Sequence, residues 1–285
     1  SSFSSNTSPS GLDCYSASYL INAAWETEVL LGVEDTGASR TIQECCPEPM
    51  SYARSRAKSR HVKAEEKNRN LVALMEEYKD IFSKDLKGGR MLKGEMHIKT
   101  KNVVKNPKHV LTARTPPLAI QGMAKKLIEE MIASDMIERV TIPTKWVAAA
   151  HFVLKPCGTK VRAVVDYSGE NGLNADVARP EHGFCPPSDI REQIGSTSKW
   201  FAVFDAVHGF FQIQLDEESS LLTTFMLSTG SGGERFKYKR APMGLNASGD
   251  EFNRRTDEAL RGCEGVFKLV DDMLIEADTE EQLMH

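Results

Sequence analysis

The sequence predicts an α+β fold in which an antiparallel sheet packs on helices. Three observations carry this. Two stretches, 70–82 and 119–136, place apolar residues on one helical face. The runs 148–155 and 160–167 flank Pro156-Cys-Gly-Thr159, a hairpin signal. The short apolar runs of Val266–Ile275 flank Asp271-Asp272, which reads as a second tight hairpin.

Composition bounds the class. Of 285 residues, 40% are apolar and 27% charged, ordinary values for a globular protein. No apolar run reaches the length of a membrane span. The six cysteines (Cys14, Cys45, Cys46, Cys157, Cys185, Cys263) form no C-x-x-C pair, so reduced intracellular thiols are expected rather than a zinc site. The net charge of −4 hides an asymmetry: residues 51–165 hold 24 Lys/Arg against 11 Asp/Glu. Residues 1–50 and 166–285 are acidic. A basic middle beside an acidic end suits a polyanion partner and a cation site. The chain opens on Ser-Ser-Phe-Ser-Ser without Met, and a fragment of a longer polypeptide is expected.

In chain order, Glu28–Val33 is a candidate strand leading to Asp35-Thr-Gly-Ala38. An Asp-Thr-Gly turn after an apolar strand resembles the catalytic turn of retroviral-type aspartic proteases, although Glu34 stands where that family has an apolar residue. Two such aspartates share a proton and activate water. The pattern breaks up by Cys45-Cys46, and a basic, linker-like run fills 51–70. Residues 1–69 are therefore expected to be a poorly ordered protease remnant and linker.

The helix over 70–82 follows. Met96-His-Ile98 alternates as a short strand would, and the helix over 119–136 buries Leu127, Ile128, Met131 and Ile132. After the 148–167 hairpin, a Pro-punctuated stretch holds a helix near 188–194. Trp200–Phe204 is a continuous apolar run, hence a buried strand, and it ends at Asp205. Phe210–Leu215 reads as a helix start or an extended segment. Phe236-Lys-Tyr238 alternates. Ser248-Gly-Asp-Glu251 fits a capping box opening a helix to about Arg261.

Asp205, Asp271 and Asp272 are the candidate site. A buried strand that ends in a carboxylate needs a use for it, because an unpaired buried charge is costly. Carboxylates converging at a sheet edge can hold two Mg²⁺ ions, the requirement of in-line phosphoryl transfer, and oxygen-only donors suit that ion. Solvated turns and a helix cap remain the alternative readings of these aspartates.

Five blocks give the pattern a family. They are Asp135–Trp146, Val153–Tyr167, Phe204-Asp-Ala-Val-His-Gly-Phe-Phe-Gln-Ile213, Ala241-Pro-Met-Gly-Leu245 with Phe252-Asn-Arg-Arg255, and Leu269-Val-Asp-Asp-Met-Leu-Ile275. In this order they resemble the reverse transcriptase domain of gypsy-like long-terminal-repeat retrotransposons, over roughly residues 70–285. The resemblance implies polymerase fingers at about 70–199 and palm at about 200–285, with no thumb.

It also implies roles. Asp205, Asp271 and Asp272 would be catalytic, holding Mg²⁺ (or Mn²⁺) with the Ala206 carbonyl. Arg162, with Lys155 or Lys160, would clamp the incoming dNTP, and the backbone at His208 and Gly209 would meet its triphosphate. Phe210 would exclude a ribose 2′-hydroxyl. Met243, in place of a frequent Phe, would line the nucleotide, with Pro242 and Gly244 at the templating pair. Leu269, in place of the usual Tyr, would touch the primer end, and Gly249 replaces a frequent Pro. The implied partners are an RNA template, a DNA primer and dNTP, with RNase H and integrase domains elsewhere in a polyprotein. The setting would be an intracellular particle or the nucleus. Two other functions stay open: an aspartic peptidase fragment centred on Asp35, and an inactive remnant that only binds nucleic acid.

Overall fold

The computed structural model describes residues 21–22, 25–30, 69–79, 81–82, 90–91, 93–156, 158–183, 185–195, 197–230 and 232–284. Asp35 lies outside them. The strands are β1 (Ile21–Asn22), β2 (Trp25–Leu30), β3 (Arg90–Met91), β4 (Ile137–Arg139), β5 (Ala148–Leu154), β6 (Val161–Asp166), β7 (Trp200–Ala206), β8 (Phe225–Ser228), β9 (Gly233–Tyr238), β10 (Val266–Leu269) and β11 (Asp272–Ala277). The helices are α1 (Arg69–Glu77), α2 (Leu118–Ala133), α3 (Leu173–Asp176), α4 (Pro187–Gln193), α5 (Glu217–Leu222), α6 (Asn246–Ala259) and α7 (Glu280–Met284), with a 3₁₀ turn at Gly209–Gln212.

Two sheets dominate. One runs β10-β11-β7-β2, all antiparallel. The other runs β4-β9-β8-β5-β6 and is antiparallel except where β5 meets β8. The β5–β6 hairpin has the expected turn: Lys155 N–H donates to Lys160 O at 2.8 Å, and Gly158 takes φ +71°, a backbone state that glycine adopts without strain. The core joins Ile128 and Met131 of α2 to Trp146, Tyr167, Phe225 and Phe236 around the five-stranded sheet.

Several expectations change. The sheets do not divide the chain at residue 199. β8 and β9 lie after β7 in sequence yet pair with β5 and β4, so the chain leaves the four-stranded sheet and returns to the five-stranded one. Their inward faces explain this: Phe225, Leu227, Phe236 and Tyr238 are buried and fill the core under that sheet. The N-terminal strand begins at Trp25, three residues before the expected start, runs to Leu30 at the edge of the described residues, and pairs with β7 as the outer strand of the four-stranded sheet. Met96–Ile98 makes only a single bridge, Met96 to Leu215.

The capping box does not form. α6 begins at Asn246, whose N–H is taken by Asn174 Oδ1 at 3.0 Å. With that amide satisfied from α3, the helix starts two residues before Ser248. Glu251 turns to Arg254 and Arg255, at 2.8 and 2.7 Å, instead of reaching back. Ser248 Oγ is buried without a hydrogen-bond partner.

Candidate active site

The site is assembled by β7 and the β10–β11 hairpin. β7 is an aromatic and β-branched run flanked on both edges, which fits an interior strand. Its register sets Asp205 directly opposite Asp272. Directly opposed residues of an antiparallel pair share a face, with Cβ atoms about 4.5–5.5 Å apart. Leu269 pairs with Asp272, so Val270 and Asp271 alone make the turn.

That turn is constrained. Val270 has φ +58°, a left-handed conformation that a β-branched residue adopts at a cost of about 1–3 kcal/mol. Asp271 is exposed at the tip, and its carbonyl accepts the Ala206 N–H at 2.9 Å. The turn is thus tied to the end of β7, beside Asp205. Among the described residues, however, no three His, Cys, Asp or Glu side chains close into a ready metal cage. Two aspartates are in register and the third stands in the turn. Asp205 and Asp272 both engage neighbouring groups. The donors are nonetheless all hard oxygens at one sheet end, the donor chemistry that a divalent cation takes.

Beyond β7 the chain bends sharply. His208 takes φ +54° and opens the 3₁₀ turn. The residue is exposed, yet its ring stands 6.2 Å from that of Phe211, which desolvates one side of it. Burial lowers its pKa below the usual 6.5, and the positive charge of Lys155 lowers it further. Gly209 is buried, and a Cβ there would stand 3.0 Å from the Phe252 ring of α6, so the ring would have to give by a few tenths of an ångström. Phe210 is half-buried and meets the same ring edge-on, centroids 5.5 Å apart. Arg240 fixes the turn from below: it is 1% exposed and donates from Nη1 to Phe211 O at 2.9 Å and from Nε to Asp135 O at 3.2 Å.

The remaining candidates lie on neighbouring elements. Arg162 on β6 is exposed, as are Lys155 and Lys160. Pro242 is buried, while Met243 is 56% exposed and Gly244 takes φ +86°. Asn174 grips this loop, donating from Nδ2 to Gly244 O at 2.8 Å while its Oδ1 accepts from Asn246. Leu269 is half-buried on β10. Asn174 and Arg240 escaped sequence reasoning; the one signal was a lone polar or charged residue next to a motif.

The chain has counterparts among known proteins. Residues 155–285 match the family "Reverse transcriptase (RNA-dependent DNA polymerase)". The retrovirus-related Pol polyprotein from transposon 412 of Drosophila melanogaster is 27% identical over 221 residues, covering 75% of this chain and 17% of that protein. The enzymatic polyprotein of cauliflower mosaic virus (strain CM-1841) is 37% identical over 132 residues, 44% of this chain and 18% of its own length. The chain thus spans less than a fifth of either relative. Among solved structures, a foamy viral protease-reverse transcriptase in complex with an RNA/DNA hybrid aligns over 74% of this chain and 27% of its own, with TM-score 0.62 and 17% identity. The same kind of protein in complex with double-stranded DNA aligns over 68% and 31%, with TM-score 0.53 and 19% identity. These likenesses show a shared fold.

Proposed function

We propose that this chain, whose residues 155–285 are a reverse transcriptase domain homologous to those of retrotransposon Pol polyproteins, joins dNTPs to a primer 3′-hydroxyl on an RNA template. The observation that carries the reading is the register of Asp205 opposite Asp272, with the Asp271 turn tied to Ala206.

Polymerases of this family use divalent metal ions, which lower the pKa of the attacking hydroxyl and steady the leaving pyrophosphate. Asp205 and Asp271 would hold Mg²⁺ or Mn²⁺ with the Ala206 carbonyl, and Asp272 completes the carboxylate set. Arg162 offers a planar fork to triphosphate oxygens. Lys155 or Lys160, both exposed on the β5–β6 hairpin, is its companion. The backbone at His208 and Gly209 meets the triphosphate. Phe210, propped on Phe252, forms the wall that rejects a ribose 2′-hydroxyl. Met243 is exposed toward the nucleotide, with Pro242 and Gly244 shaping the loop at the templating pair, and Leu269 approaches the primer end. The partners are RNA template, DNA primer and dNTP, together with the other domains of a polyprotein, in an intracellular particle or the nucleus. No helix among the described residues is long and apolar enough to cross a membrane. The peptidase reading gains nothing here, since the strand leading toward Asp35 joins the β7 edge.

The test is Mg²⁺-dependent extension of a DNA primer on an RNA template. Asp271→Asn lowers incorporation by at least ~10²-fold, the scale of removing one electrostatic group from a transition state. Incorporation that persists in Asp271→Asn, or a folded wild-type chain that incorporates nothing with either metal, overturns the reading.

A further inference from the structure

The hairpin that carries Asp271 and Asp272 is short, and its tip holds a strained Val270. Something must fix its height against β7. β10 contributes one polar side chain to this task, Lys268, immediately before Leu269. Its side chain is only 9% exposed, unusual for lysine. Its ammonium meets acceptors on one face of α6: Asp257 Oδ1 at 2.6 Å, Thr256 Oγ1 at 2.8 Å, Asn253 O at 3.1 Å and Asn253 Oδ1 at 3.3 Å. Positions 253, 256 and 257 are spaced three and four apart, so they share that face. Thr256 Oγ1 donates its own proton to Phe252 O at 2.9 Å, which leaves its lone pairs for the ammonium. Asp257 also takes His182 Nε2 at 2.7 Å, on its other oxygen.

The same helix turns Phe252 toward Gly209 and Phe210. α6 therefore touches both halves of the site, the hairpin through a buried cation and the 3₁₀ turn through a ring. A buried charge with several charge-assisted acceptors holds a tighter geometry than apolar packing alone, because removing it leaves those acceptors unpaired.

We propose that Lys268 is a positioning residue for nucleotidyl transfer: anchored on Asn253, Thr256 and Asp257, it sets the seat of the Val270–Asp271 turn against Ala206. The proposal rests on the polymerase reading for its consequence, but its structural half does not. The turn's seat is reported by one amide, that of Ala206, which donates to Asp271 O at 2.9 Å.

The experiment compares wild type with Lys268→Met, which keeps length and removes the charge. Hydrogen exchange is followed at Ala206 and, as the control, at Phe225 and Phe236, which pair with each other in the other sheet. Ala206 exchange is expected to speed up at least ~10-fold with the control amides unchanged; a uniform change across both sheets, or none, overturns the proposal. Primer extension by the same variant is expected to lose about 10²-fold in kcat with little change in the dNTP KM, as for a misplaced reacting group. A wild-type kcat overturns the positioning role. Where Lys268→Met does not fold, Asp257→Asn and Thr256→Val read the same amides. Loss of activity in Asp271→Asn with full activity in Lys268→Met sinks this proposal alone, whereas full activity in Asp271→Asn sinks the polymerase reading and leaves the Ala206 result standing.

Discussion

At the scale of residues, the site depends on a few groups held in unusual states. His208 is one. Burial and the nearby Lys155 favour its neutral ring in the folded chain. A His whose folded pKa is depressed contributes stability that is complete above its ordinary 6.5 and is lost as pH falls through the lowered value. An NMR titration should find His208 below 6.5, and Lys155→Gln should move it upward. A His208 pKa unmoved by Lys155→Gln would mean the Lys155 charge does not act on the ring. That Asp205 closes a strand and that Asp271 and Asp272 sit at a hairpin turn was legible in the sequence, because the apolar runs stop there. Arg240 and Lys268 were not. A single cation in a mixed stretch looks like surface, and only the fold reveals that one is 1% exposed and the other faces α6.

At the scale of elements, both hairpins and the main helices follow from periodicity and turn chemistry. The start of α6 does not. Ser248 and Glu251 have the spacing of a capping box, yet Asn174 on α3 supplies the acceptor for the first turn instead. A local motif lost to a partner 72 residues away, which no window of sequence can register. The consequence is testable. Removing a working N-cap costs about 1 kcal/mol, but deleting a buried hydroxyl with no partner is neutral or stabilising. Ser248→Ala should therefore leave the unfolding midpoint unchanged or raise it. A drop of about 1 kcal/mol in a denaturant titration would restore the capping role.

At the scale of the molecule, the four-stranded sheet gathers β7 and the β10–β11 hairpin from separate parts of the chain, and β2 from nearer the start of the sequence. The sequence shows β7 and the β10–β11 hairpin as apolar runs but not that β8 and β9 return to the other sheet between them. Their apolar content fits either sheet, and the choice is made by the core that forms under β5. Everything proposed for the site requires that β7 and the β10–β11 turn together bind a cation. Their carboxylates gather at one sheet end, although no three ligands among the described residues close into a cage. Mn²⁺ titration followed by paramagnetic broadening of backbone amides is the decisive measurement. Broadening should centre on Asp205, Ala206, Asp271 and Asp272 and should be lost in Asp271→Asn. Broadening spread over the acidic surface, and unchanged in Asp271→Asn, would contradict a cation site there.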